Sequence, residues 1–220
     1  AAKLLNKKLY YIWKYPSKFS NVFNFRIDVD PERNRSEKEA MNNIKKTLTY
    51  FKNYSDFTTY AINFYRRHPN YNEFLNLFKD NYDLVSHNYL HINLPTLQHS
   101  YRNILKSFDF LKKNNFITNI FVSPEYFYFD NLSKISKKLN IKYTSSLGFD
   151  YKSFPYRSIN NNMLNSVIEI PYQPLVFTKF QQSKKENIID YYEKLIKRIK
   201  NDDSLTFLLY DHPNILSKHP

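Results

Sequence analysis

The sequence predicts an α/β fold, a barrel-like arrangement of about seven strands, on three observations. Strand-like and helical periodicities alternate along most of the 220 residues, which implies βα units and a mainly parallel sheet. About seven strand-like segments in one domain favour a barrel over an open doubly wound sheet. Carboxylates and histidines recur at the C-terminal ends of those segments, the face on which α/β barrels assemble their chemistry.

Residues 22–29 (VFNFRIDV) read as a strand that carries Asp28 and delivers Asp30 at its end. Residues 36–54 read as a helix. Ser36 can cap it, Glu39 follows three residues later, and Met41, Ile44, Leu48 and Phe51 form an apolar stripe. Residues 57–65 (FTTYAINFY) are strand-like because β-branched and aromatic side chains suit a pleated, half-buried surface. A short helix over 70–79 puts Phe74, Leu77 and Phe78 on one side, and a strand over 82–86 (YDLVS) runs into His87.

The second half repeats the alternation. Helices are expected over 96–114 and 132–139, and strands over 119–122 (NIFV), 141–144 and 166–170 (SVIEI). A long helix over 186–200 carries Ile188, Ile189, Tyr192, Leu195, Ile196 and Ile199. Residues 205–210 (LTFLLY) close the series as a buried strand leading into Asp211 and His212. Residues 1–21 read as an N-terminal extension packed onto the barrel through Trp13, and residues 22–220 as the main domain.

Composition narrows the classes of function. A hydrophobic share of 42% with 18% aromatic residues excludes a disordered chain. One glycine beside 20 tyrosines and 19 phenylalanines has the skew of an AT-rich coding sequence, so the aromatics read first as core material. The net charge of +13 invites a nucleic-acid partner. However, pairs such as Lys112-Lys113 and Lys137-Lys138 fall in amphipathic stretches, where a solvated face is the expected reading and nucleic acid is not. Without cysteine, disulfides and thiolate metal sites are impossible. No apolar run reaches the roughly 18 residues of a membrane span, and the N-terminal segment is not a signal peptide.

His87 and His91 lie in the stretch HNYLH, and a helical turn there would point both rings to one side. Asp28 and Asp30 share one side of a strand end, because side chains alternate with a period of two. Taken singly, two surface histidines or a helix-capping aspartate would explain each pattern. Together, one carboxylate and two imidazoles supply three metal ligands and leave positions open for water and substrate. Such a metal lowers the pKa of bound water and polarises a carbonyl. The second carboxylate is then placed to take a proton. His68, His99 and His219 have no partners at ligand spacing and read as surface or helix residues.

The stretches FRIDVD, SHNYLH and YDHP resemble the first, second and final motifs of the polysaccharide deacetylase family (the NodB homology domain). Their order and strand context agree over residues 22 to 213, with Arg67-His68-Pro69 and Pro124-Glu125-Tyr126 between them. The resemblance implies a distorted (β/α)7 barrel and a hydrolase removing an acetyl group from an N-acetylated sugar of a polysaccharide or glycan precursor. It implies that Asp30, His87 and His91 hold a divalent metal, with Zn²⁺ first among the candidates. Asp28 would be the general base and His212 the general acid, and the backbone amide at Tyr126 would face the oxyanion.

Two departures qualify the resemblance. The family's third motif carries an arginine that braces the base, whereas FVSPEY places Val122 there. Arg26, Arg67 or Arg157 is then expected to reach in, or the base is set differently, as in a sugar-binding relative without turnover. The lone glycine, Gly148, marks either a functional loop or a simple turn, and Phe154, Pro155, Tyr156 and Arg157 beyond it are candidates to line a sugar groove.

Overall fold

The computed structural model of the chain describes residues 22–30, 34–64, 71–79, 82–126, 132–146, 155–157, 159–160, 163–172 and 206–218, with single positions between 190 and 201. The extension 1–21 with Trp13, most of the expected helix 186–200, and Arg67, His68, Gly148, Phe154 and His219 lie outside the described residues.

The strands are β1 (Val22–Val29), β2 (Thr58–Ile62), β3 (Asp83–Ser86), β4 (Ile120–Val122), β5 (Tyr143–Ser145), β6 (Ile159–Asn160), β7 (Met163–Leu164), β8 (Ile168–Glu169) and β9 (Thr206–Asp211). Seven of them form one sheet in the order β8-β5-β4-β3-β2-β1-β9, every neighbouring pair parallel. Among the described residues nothing pairs β8 with β9, so the fold is a distorted (β/α)7 barrel left open between its two edge strands. Helices α1 (Glu37–Phe51), α2 (Tyr71–Asn76), α3 (Leu97–Lys113), α4 (Leu132–Leu139) and α5 (Pro213–Leu216) supply the crossovers and the outer layer. Among the described residues no helix is long and apolar enough to cross a membrane.

The two-residue period of the strands separates packing from chemistry. On β1, Phe25, Ile27 and Val29 join Ile44 and Leu48 of α1, Tyr60 and Ile62 of β2, and Phe74, Phe78 and Leu111 in the main hydrophobic core. The alternate residues Arg26, Asp28 and Asp30 turn to the other side and are buried as well. Ala61, Val85 and Val122 form a small apolar cluster of their own. Each fully buried Leu, Ile or Phe stabilises the fold by roughly 1.5–3 kcal/mol. Edge-to-face pairs such as Tyr60 with Phe78 and Phe74 with Phe78, at centroid distances of 5.2 and 5.3 Å, add roughly 0.5–1.5 kcal/mol each. Many of the aromatics are thus core material, as the composition suggests.

Local signals set the helix ends. Ser36 Oγ accepts the Glu39 amide at 3.2 Å, while the Glu39 carboxylate reaches the Arg35 amide at 2.8 Å, a capping box displaced by one residue. α1 stops at Phe51 rather than at 54 because the chain tightens into a 3₁₀ segment over Lys52–Phe57, broken at Tyr54. That segment also takes Phe57 from the strand expected over 57–65, and β2 ends at Ile62 with Asn63 and Phe64 beyond it. Thr96 caps α3 through its Oγ1, 3.2 Å from the His99 amide, and Lys112 and Lys113 complement the dipole at the other end. Thr96→Ala is expected to cost about 1 kcal/mol in urea-unfolding stability, because it orphans a first-turn donor.

Two features differ from the sequence expectation. The antiparallel ladder β6–β7 has no counterpart in it. Positive φ is taken by Asn88, Asn115, Glu125 and Asn140, so the glycine-poor chain fills left-handed turns mostly with asparagine, the residue that tolerates them best after glycine.

Candidate metal centre

Asp30, His87 and His91 converge beyond the C-terminal ends of β1 and β3, with their ligand atoms within 4.8 Å of one another. His87 Nε2 lies 3.1 Å from His91 Nε2. Asp30 Oδ1 lies 3.6 Å from His87 Nε2, and Oδ2 lies 3.5 Å from His91 Nε2. Ligands bonded at 2.0–2.2 Å to a tetrahedral ion stand about 3.3–3.6 Å apart. The two Asp30–histidine contacts match this through different oxygens. With one atom from each residue the three gather within 4.8 Å, close enough to hold one ion. The chemistry of the set fits too: one carboxylate and two imidazole nitrogens.

The histidines lie on a loop rather than on the helical turn that their spacing would suit. Asn88 adopts a left-handed conformation (φ 73°) immediately after His87 and turns the chain into a loop. Asn88 Nδ2 donates to the Ile92 carbonyl at 3.1 Å, and Asn103 of α3 clasps both backbone groups of Leu90, at 2.8 and 3.1 Å. The loop therefore closes on itself and brings His91 back over His87. Buried His87 places Nδ1 3.0 Å from the Val122 carbonyl. A carbonyl only accepts, so Nδ1 carries the proton and Nε2 presents its lone pair to the centre.

Asp30 is held in its charged form. Burial alone would push its carboxyl up, but the His212 hydrogen bond and the His87, His212 and His91 rings outweigh that and hold it far below the usual carboxylate range. Burial pushes His87 the opposite way from protonation, below its ordinary value, with Asp28 and Asp30 opposing. A charged carboxylate beside a neutral imidazole is the protonation state a metal needs. His212 places Nε2 3.2 Å from Asp30 Oδ2. It follows β9 as the N-cap of α5, with Pro213 in the first turn, and its backbone amide donates to Asp211 Oδ1 at 2.8 Å.

Asp28 has a partner of its own. Arg26 Nε donates to Oδ1 at 2.6 Å and Nη2 to Oδ2 at 2.8 Å, a bidentate pair with both side chains buried. The third nitrogen, Nη1, donates to Ser145 Oγ at 2.9 Å, and the guanidinium lies 4.7 and 5.1 Å from the Tyr172 and Tyr210 ring centroids. Burial works against its charge, but Asp28 and the two tyrosines more than compensate and raise its pKa further. Of the three arginines considered from sequence, Arg67 lies outside the described residues, and Arg26 reaches Asp28. It comes from β1 itself, two residues before Asp28. Arg157 is exposed, and Val122 contributes its backbone carbonyl and a buried apolar side chain.

Tyr126 closes the 3₁₀ turn Pro124–Tyr126 after β4, in which Glu125 is left-handed (φ 56°). Asn93 Nδ2 ties that turn to the histidine loop through the Pro124 carbonyl at 2.8 Å. Of the groove candidates, Pro155 is exposed, and Tyr156 is half-buried and bridges Glu169 through its backbone. Sequence reasoning did not single out Asn63, Ser145, Glu169, Tyr172 or Tyr210. Only the strand period, which puts Asn63 and Tyr210 on the side of the chemistry, could have pointed to any of them.

Against proteins of known structure the chain covers 92% of its length with a protein assigned as a polysaccharide deacetylase from Mycobacterium smegmatis, at 15% identity and a TM-score of 0.68, spanning 80% of that chain. The fold is that of the polysaccharide deacetylases. A probable polysaccharide deacetylase from Pseudomonas aeruginosa PAO1 aligns over 93% of this chain and 82% of its own at 13% identity, with a TM-score of 0.61. The allantoinase Puue aligns over the same shares, also at 13% identity, with a TM-score of 0.67. At these identities the likeness is one of fold. No family model matches the sequence, and no curated protein sequence does either.

Proposed function

We propose that the protein is a divalent-metal hydrolase, with Zn²⁺ the first candidate, that removes the acetyl group from an N-acetylated sugar of a polysaccharide or glycan precursor, and that residues 22–220 are its catalytic domain. The observation that carries this reading is the meeting of Asp30, His87 and His91 at ligand spacing beside a second, separately braced carboxylate, Asp28. In this reading Asp30, His87 and His91 hold the metal, which supplies Lewis-acid polarisation of the acetyl carbonyl and an acidified water. Asp28 removes the proton from the attacking water as the new C–O bond forms. Arg26 keeps both Asp28 oxygens oriented. The backbone amide at residue 126 faces the charge that develops on the carbonyl oxygen. His212 gives its proton to the sugar nitrogen as the C–N bond breaks, leaving acetate and a free amine.

Acetate release from N-acetylated oligosaccharides, measured after loading with Zn²⁺, tests the assignment. The wild type is expected to release acetate, and Asp28→Ala to fall by at least about 10²-fold, the scale of a lost general base. The bidentate grip of Arg26 on Asp28 also suits a sugar-binding relative in which the carboxylate is structural. That reading predicts affinity for the oligosaccharide with no acetate released by either protein.

A further inference from the structure

Asn63 stands at the crossing of the two segments that bring the candidate ligands together. It follows β2 directly and is fully buried. Its Nδ2 donates to Asp30 Oδ1 at 2.8 Å. The backbone on either side of it holds the histidine segment: the Ile62 carbonyl accepts the His87 amide at 2.9 Å, and the Phe64 amide donates to the Tyr89 carbonyl at 3.1 Å. Residues 62–64 therefore extend the β2–β3 ladder past the end of both strands, and the side chain between those two backbone bonds reaches across to β1.

A carboxylate can only accept, so the amide nitrogen must face Asp30 and the orientation of the Asn63 carboxamide is fixed. The contact divides the Asp30 oxygens. Oδ1 is tied to Asn63 and faces His87, while Oδ2 faces His91 and His212. A carboxylate hung on the end of a strand has a broad rotation about its last torsion, and a metal site requires one orientation of it. Partners that orient a ligand from behind typically change metal affinity about 10–100-fold when they are removed.

We infer that Asn63 is the positioning residue of the metal centre, fixing the plane of the Asp30 carboxylate and coupling it to the His87 segment. The inference rests on the metal reading above and adds to it a residue that touches neither metal nor substrate. Asn63→Leu keeps the branched shape and the number of side-chain heavy atoms and removes the donor. Asn63→Ala removes both donor and volume.

The test measures Zn²⁺ dissociation constants by competition against a chromophoric chelator at fixed pH, with far-UV circular dichroism as the check on folding. Both variants are expected to bind Zn²⁺ about 10–100-fold more weakly than the wild type. A purely packing role would leave Asn63→Leu within about twofold of the wild type, and that result would overturn the inference. The wild type gives a second readout that needs no variant. With ¹⁵N-labelled protein, the Asn63 side-chain amide is expected to exchange slowly with solvent and to shift on addition of Zn²⁺. A fast-exchanging amide that ignores the metal would overturn it equally. If the wild type binds no Zn²⁺ at all, the metal reading itself has failed, an outcome distinct from wild-type binding that survives the loss of Asn63.

Discussion

Arg26→Met should destabilise the protein by about 3–5 kcal/mol, the cost of stripping a buried charge of its partner. Arg26 and Asp28 are both almost completely inaccessible, at 2% and 1% exposure, so water cannot readily replace the guanidinium. Methionine retains apolar contact with Tyr172 and Tyr210 but offers nothing to the two Asp28 oxygens or to Ser145 Oγ. The companion variant, Arg26→Met with Asp28→Leu, removes both charges and should recover most of the loss, because an apolar pair of similar volume is commonly as stable as a buried ion pair. Urea unfolding of the three proteins at pH 7 gives the comparison. Equal losses in single and double variants would mean that packing of Arg26 against the tyrosines matters more than its charge. A loss below about 1 kcal/mol in the single variant is what an exposed pair would give, and would show that solvent reaches Asp28.

This pair also shows what could be read from the sequence and what could not. The stretch FRIDVD already contained the pairing, since a strand puts residues 26, 28 and 30 on one side. Reading it required knowing that Ser145, Tyr172 and Tyr210 stand around the guanidinium on that side. That is a tertiary fact, carried by strands far apart in the chain. The parallel sheet and its helices were legible because period-two and period-3.6 patterns are local, and Asp30 and His87 because each directly follows a strand, with His91 four residues beyond His87. The loop that carries the histidines was not legible. Spacing of four residues suits a helical turn, but Asn88 has its own backbone preference and Asn103 supplies tertiary hydrogen bonds that the spacing does not report. Asn63 was invisible for a related reason. An asparagine after a strand reads as the start of a turn until the carboxylate it serves is placed beside it.

Protein purified without chelator is expected to carry about one divalent ion per chain, as a three-ligand site with open positions does, and the double variant His87→Ala, His91→Ala to carry none. Elemental mass spectrometry measures both. Zinc should also stabilise the wild type and not the double variant: at a hundredfold excess over the dissociation constant the gain is about 2.7 kcal/mol, visible as a raised melting temperature. The pH dependence follows from the same residues. His87 is depressed below its ordinary value of 6.5 by burial, so the unfolded chain takes up its proton first. Its contribution to metal-free stability is intact above that value and is lost as pH falls through the window beneath it. Asp30, lowered from 3.8, acts in the same direction further down the scale. Metal affinity should weaken on acidification for the same cause, since protons compete for the ligand atoms. A wild type that binds no ion after zinc is added, with a melting temperature equal to that of the double variant, would leave the deacetylase mechanism without its electrophile. The buried histidine–carboxylate cluster would then be a structural feature of the barrel mouth.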